Sequence, residues 1–253
     1  MGEILMDEAP EKVRGAVPEG ATDPVSASRA VREMFTAIAP RYDFLNHLLS
    51  ANVDKLWWRR VAKTFAAILS RPEARVLDLC CGTGDLSFAI RRRGPDARIT
   101  GADFSHAMLK LAVAKTEDGK RISWIEADAL QLPFADESFD LVTSAFGFRN
   151  LADYDAGLRE IRRVLRPGGE CGILEFGEPR GMFGRLYRFY FRRVLPRIGG
   201  LISGTSAYSY LPASVERFPS PPEMLARMEA AGFPEPCWTP YTFGIAGLFR
   251  GRK

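Results

Sequence analysis

Short apolar runs followed by helical patterns recur along most of this chain, and that alternation constrains the fold more than any other feature. The first unit is "ARVLDLCCGTGDLSFAIRRRG": an apolar run, a glycine-bearing turn, then a helical pattern. The same order returns in "RITGADFSHAMLKLAVAK", in "RISWIEADALQLPF" and in "FDLVTSAFGFRNL" leading into "YDAGLREIRRVL", after which comes "PGGECGILEF". Strands alternating with helices predict an α/β fold, with a mostly parallel sheet covered by helices on both faces. "MLARMEAAGF" and "CWTPYTFGIAGLFRG" read as a helix and closing strands that complete the sheet, with Pro219 to Pro222 as the joint. "LRPGG" reads as a helix-ending turn, Pro167 stopping the helix before the next strand.

Ahead of these units, residues 1–27 are rich in Glu, Pro, Gly, Ala and Ser and read as a poorly ordered tail. From Ser28, the spacing of Val31, Met34, Phe35 and Ile38 predicts a helix that Pro40 limits, and a second helix is expected from Phe44 to Leu69. A chain of 253 residues suits one domain, here 28–253, with 28–70 as a helical cover and 178–220 as an insertion over the site. No stretch approaches the roughly 20 uninterrupted apolar residues of a membrane span. The acidic, proline-bearing start does not resemble a signal peptide, and Met6 stands where a myristoylation motif wants Ser or Thr. Cys80, Cys81, Cys171 and Cys237 show no paired spacing and have only two histidines beside them, so neither a metal site nor a disulfide framework is expected. Such thiols suit a cytoplasmic protein.

In a sheet of this kind the ligand lies beyond the carboxyl ends of the strands. The loop from Asp78 to Asp85 places Gly82 and Gly84 where the backbone turns sharply. A dinucleotide fingerprint would need a further glycine at Ser87, so a ligand without a pyrophosphate fits better. Asp103 follows the second strand at the distance from which an acid reaches a ribose hydroxyl, and Asp128 follows the third, where it can accept from an exocyclic amine. Together they describe adenosine without a diphosphate, which S-adenosylmethionine supplies. Taken singly, Asp103 reads equally as a helix cap with Ser105, and Asp128 as a strand-end turn.

"VLDLCCGTGD", "ADFS", "ADALQLPF" and "RVLRPGG" resemble the ordered motifs of class I S-adenosylmethionine-dependent methyltransferases. "YDFLNHLLS" with "DKLWWRR", "FGFRN", "RVLRPGGECGILEF" and "VLPRIGGLIS…SYLPASVERFP" are similar, more specifically, to the C-methyltransferases of menaquinone and ubiquinone biosynthesis. The resemblance runs from Ser28 to the C-terminus and implies a Rossmann-like, seven-stranded fold. It implies a cofactor site at Asp78, Gly82, Thr83, Gly84, Asp103, Phe104, Asp128, Ala129 and Ala145. The chain departs from the family at Asp54, where histidine is usual, and from class I enzymes at Cys80, where glycine is frequent.

The implied acceptor is a reduced polyprenyl quinol, with demethylmenaquinol favoured over its benzoquinol counterpart. On that reading Gly147 lets the backbone approach, while Phe146 and Phe148 offer an apolar surface to sulfonium and ring. Arg149 and Asn150 face the acceptor's oxygens, Arg149 stabilising the developing phenolate, and Tyr42 and Asp43 orient the quinol or relay its proton. Asn46 and Trp57 join the substrate site. The plainer alternatives are an Arg149–Asp153 ion pair, helix capping by Tyr42 and Asp43, and packing of Trp57 and Trp58. His47 reads as structural, and His106, which follows Ser105, could lie near the adenosine.

Between Arg180 and Ile202 the chain carries six arginines and no acid, with apolar residues at helical spacing. That segment reads as a basic amphipathic helix, either docking on a membrane surface or packed as a lid. A nucleic-acid methyltransferase would carry an Asn or Asp followed by two prolines after strand four, and this chain has "SAFG" there. A different lipid or small-molecule acceptor, or a non-catalytic cofactor-binding subunit, stays open, as does the oligomeric state, a homodimer included.

Overall fold

In this computed structural model residues 15–16, 18, 21–49, 52–116, 122–177, 179, 184 and 207–253 are described, with side chains at all of them except 24, 40–49, 207–209 and 211. In chain order the elements are α1 (Pro24–Leu49), α2 (Val53–Thr64), α3 (Ala66–Leu69), β1 (Arg75–Leu79), α4 (Asp85–Arg93), β2 (Arg98–Asp103), α5 (His106–Lys115) and β3 (Ile122–Glu126). After them come β4 (Phe139–Ala145), α6 (Tyr154–Val164), β5 (Leu165–Phe176), α7 (Ala207–Arg217), α8 (Pro221–Ala230), β6 (Cys237–Tyr241) and β7 (Ala246–Arg252).

Four consecutive buried residues after Arg75, Asp78 among them, mark β1 as a central strand covered on both faces. It pairs in parallel with β2 on one side and β4 on the other. The seven strands lie in the order β3-β2-β1-β4-β5-β7-β6, with the two closing strands antiparallel to their neighbours. Chain direction therefore switches between β1 and β4, and a crevice opens past their carboxyl ends.

Each face has its own core. On one, α6 buries Tyr154, Gly157, Leu158, Ile161 and Val164, one helical stripe, together with Met224 and Met228 of α8 and Phe249 of β7. On the other, Trp57, Val61 and Phe65 pack with Ile90, Leu141 and Leu248. Each such large side chain contributes about 1.5–3 kcal/mol by leaving water.

Three local expectations are corrected. Pro40 does not end the first helix, which runs through it from Pro24 to Leu49. It starts earlier than the apolar spacing suggests because Asp23 Oδ1 accepts the N–H groups of Val25 and Ser26 at 2.9 Å each, and Pro24 needs no partner at the first position. The second helix expected from Phe44 is instead the end of α1 followed by α2 and α3, which part at Phe65, and Asn52 in the left-handed region (φ 61) precedes α2. "LRPGG" is not a free turn: β5 starts at Leu165, and three residues of β4 (Phe139 to Leu141) are matched by the stretch from Leu165 to Glu170. Lys253 clamps that bulge, its carbonyl accepting from Gly168 N–H at 2.7 Å.

Before α1, Ala16 N–H donates to the Leu151 carbonyl at 2.7 Å. The basic segment 180–202 lies outside the described residues except for 184, and of the expected insertion 178–220 only 179, 184 and 207–220 are described. No helix among the described residues is long and apolar enough to cross a membrane.

Candidate active site

The loop after β1 is built by backbone conformation. Cys80 (φ 54), Gly82 (φ 55) and Gly84 (φ 87) all lie in the left-handed region, which curls the chain tightly into α4. At Gly84 a Cβ would meet the Trp124 ring at 2.5 Å, whereas at Gly82 it would meet nothing within 4 Å. Gly82 thus presents bare backbone to open space. Asp103 fastens this loop to β2, its Oδ2 accepting from Gly82 N–H at 2.8 Å and its Oδ1 from Ser105 N–H at 2.9 Å. Burial pushes its carboxyl up to about 6, against the pull of those backbone donors.

A cavity opens beside Gly82, at the carboxyl ends of the strands where a fold of this kind holds its ligand. Of the predicted residues Gly82, Asp103, Phe104, Asp128, Ala129, Ala145, Phe146, Gly147 and Asn150 line it. Among the described residues Asp103 and Asp128 are its charged lining groups, and no lysine or arginine lines it. Such a wall suits a cation and repels a phosphate. Asp128 also makes the turn anticipated for it, accepting Leu130 N–H at 2.9 Å. Sequence reasoning missed Ser28 and Phe35 of α1 and Met108 of α5, which roof the cavity. Phe35 was legible only as one of the apolar positions of a helix face.

Other predicted residues lie elsewhere. Asp78 is buried behind the loop, accepting from Ser87 Oγ at 2.5 Å and Thr143 Oγ1 at 3.0 Å, and burial pushes its carboxyl up to about 7. Thr83 accepts from Lys115 Nζ at 2.8 Å. Both line a smaller recess, together with Trp58, that shares Cys80, Gly82, Ala145 and Phe146 with the main cavity. Trp57 is core: it is 3% exposed and donates from Nε1 to Thr242 Oγ1 at 2.8 Å. Phe148 is fully buried and stacks on Tyr154, so it offers no surface to a ligand. His106 pairs with Glu126 on the outside, at 3.2 Å. Asp54, where the family usually has histidine, is buried in the first turn of α2. The side chains of Tyr42, Asp43, Asn46 and His47 lie outside the described residues, on the last turns of α1.

The turn after β4 departs furthest from expectation. Arg149 does not face the cavity and does not pair with Asp153. It is 5% exposed, and its Nη1 lies 3.2 Å from Glu175 Oε2 while its own N–H donates to Glu175 Oε1 at 3.0 Å. Asp153 instead caps α6 through Ala156 N–H at 2.8 Å. Burial raises the Glu175 carboxyl, and the Arg149 charge and N–H groups pull it back. Asn150 does reach the cavity, and its Oδ1 accepts from Tyr210 of α7 at 3.2 Å. That bond leaves the amide N–H groups as its donors. Glu175 could have been flagged as the one acid within the apolar run "CGILEF". Among the described residues no cluster of three or more His, Cys, Asp or Glu could hold a metal ion.

The strand order, the glycine loop and the acid-lined cavity define a class I methyltransferase. Solved structures share the fold: a Thermotoga maritima protein described as an S-adenosylmethionine-dependent methyltransferase aligns with TM-score 0.62 at 20% identity, over 87% of this chain and 99% of its own. A Haemonchus contortus phosphoethanolamine N-methyltransferase 2, in complex with S-adenosyl-L-methionine, aligns with TM-score 0.55 at 17% identity, over 76% of this chain and 52% of its own.

The chain belongs to the ubiE/COQ5 methyltransferase family, whose model matches residues 23–253. It is 52% identical to a demethylmenaquinone methyltransferase of Thermus thermophilus over 87% of this chain and all of the relative. It is 49% identical to one of Deinococcus radiodurans, over 91% and 95%. With a ubiquinone/menaquinone biosynthesis C-methyltransferase of Geobacter sulfurreducens it shares 48% identity over 88% of each.

Proposed function

We propose that this protein transfers a methyl group from S-adenosylmethionine to a ring carbon of a reduced polyprenyl quinol, with demethylmenaquinol as the preferred acceptor. The observation that carries the reading is the cavity at the ends of β1, β2 and β4, where Asp103 and Asp128 are the charged groups among the described lining residues and Asn150 reaches in. The names of the Thermus and Deinococcus relatives support the acceptor.

Bound in this cavity, S-adenosylmethionine would supply an electrophilic methyl group with a positive charge that the two carboxylates complement. Gly82 offers open backbone, Asp103 a carboxylate for ribose hydroxyls, and Asp128 an acceptor at the β3 end. Attack needs electron density at the ring carbon, so the acceptor is the quinol, as its oxyanion, and not the electrophilic quinone. Asn150, held through Oδ1, donates N–H groups to that oxygen, a preorganised arrangement that stabilises the charge developing there as the quinol gives up its proton. Gly147 and Phe146 supply a close, apolar wall. Arg149 is buried and paired with Glu175, so it makes no direct contact with the acceptor in this arrangement. Tyr42 and Asp43 are the candidates for proton relay, and Asn46 for holding the ring.

A polyprenyl tail requires contact with a membrane surface. The arginines between 180 and 202 are suited to anionic headgroups, on the cytoplasmic face, and 178–220 would then act as both lid and dock. Co-sedimentation with anionic against neutral vesicles tests this, with binding expected to the anionic ones alone. Methyl transfer from labelled S-adenosylmethionine to reduced acceptors tests the reaction itself.

A further inference from the structure

The buried pair Arg149–Glu175 does no work in the reaction as described, yet it has a cost. Taking two charges out of water is repaid only by close geometry, and an apolar pair of equal volume is often as stable. Its use lies in the neighbouring turn. Phe146 adopts φ 57, a strained conformation for a side chain other than glycine, which persists only where the surroundings over-determine it. The last three residues of β5 do so together. The Leu174 carbonyl accepts Phe146 N–H at 2.8 Å. Glu175 accepts both the backbone N–H and the guanidinium of Arg149. The Phe176 ring stacks on Phe146 at 4.3 Å and lies 5.3 Å beneath the guanidinium, which in turn donates to the Phe146 carbonyl. Arg149 Nε reaches Ser214 of α7 at 3.3 Å, so α7 is drawn to the same turn that its Tyr210 bonds through Asn150.

We propose that Glu175 is a positioning residue for methyl transfer: by gripping Arg149 at backbone and side chain it sets the 146–150 turn, so that Gly147 and Asn150 face the cavity. This rests on the reading of Asn150 as the acceptor-facing donor. The donor side of the cavity is fastened separately, by Asp103 to Gly82 and Ser105, and meets the turn where Gly147 packs on Cys80.

Glu175→Gln keeps the volume and one acceptor oxygen but removes the charge; Glu175→Asp keeps the charge and withdraws it by one methylene. Three quantities are read in each: affinity for S-adenosylmethionine, kcat and KM on short-tailed demethylmenaquinol, and the side-chain amide ¹⁵N resonance of Asn150 in the ligand-free protein, assigned by its loss in Asn150→Ala. Cofactor affinity should stay within about twofold, since a group outside that site contributes little to it. The kcat of Glu175→Gln should fall about a hundredfold, the scale of an ångström-sized misplacement, and the Asn150 resonance should shift in both variants. Glu175→Gln with Asn150→Ala should be no slower than Asn150→Ala alone, because both act through one contact. An unmoved resonance, or losses that simply multiply, would overturn the proposal. Should Glu175→Gln not fold, as judged by cofactor binding, Glu175→Asp decides on the same criteria. A shifted resonance in a protein whose parent methylates no quinol would support the positioning role and refute the acceptor.

Discussion

The two sides of the cavity solve opposite electrostatic problems. On the donor side Asp103 and Asp128 present carboxylates to the open space, although burial raises Asp103. On the acceptor side the charges of Arg149 and Glu175 are paired and turned into the protein, and a neutral amide, Asn150, is left at the wall. On the proposed reading, a cationic methyl donor meets fixed opposite charge, whereas the quinol oxygen, anionic once its proton is gone, meets the N–H groups of Asn150. The halves also differ in construction. The donor loop is shaped by glycines and by neighbouring strands, while the acceptor turn depends on partners 26 and 65 positions away along the chain.

The sharpest way to break this contrast is to unpair the acceptor side. Arg149→Ala leaves Glu175 buried without its cation and should lower unfolding stability in urea by about 3–5 kcal/mol, and an Arg149→Met, Glu175→Met double variant should recover most of it. A loss in Arg149→Ala no larger than that of a surface substitution would show that the pair is not buried as described.

On the donor side, Asp103→Asn should weaken S-adenosylmethionine binding by on the order of 1.5–3 kcal/mol in calorimetry, the value of a hydrogen bond to a charged group. Equal affinity in the two proteins would remove Asp103 from the site.

The raised Asp103 carboxyl adds a pH test. Its folded value of about 6 lies above the unfolded value of about 3.9, so its contribution to stability is fully present below the latter and is lost as pH rises through the former. Binding of a cation runs the other way. As pH falls through about 6 the carboxyl takes up a proton, and affinity should drop by at most about tenfold per unit, a slope that Asp103→Asn flattens.

The smallest effect separates the two partners considered for Arg149. Asp153→Ala removes only the α6 cap and should cost about 1 kcal/mol with turnover unchanged. A large fall in turnover would restore Asp153 as the partner.

The donor side was legible because its signals are local. Gly82 and Gly84 mark left-handed backbone, and Asp103 and Asp128 follow their strands at spacings that the sheet makes meaningful. The acceptor side was legible only as a motif. "FGFRN" announces a site, but alternation cannot say that Phe148 turns inward while Phe146 turns outward, because the left-handed residue at 146 breaks the period. Nor could spacing pair Arg149 with Glu175 when Asp153 stood closer in sequence. Trp57 and Trp58 show the same limit: adjacent on one helix, they divide between core and recess according to what packs above them. Pro40 misled because a proline removes one helical hydrogen bond without obliging the helix to stop.

The central claim is methylation of a reduced ring, and the most direct test offers short-tailed demethylmenaquinone and its benzoquinone counterpart, each oxidised and reduced, with labelled S-adenosylmethionine. Label on a ring carbon of the reduced acceptors alone, with the naphthoquinol preferred, is the expected result. Label on an oxidised acceptor, or on none while S-adenosylmethionine still binds, would contradict it.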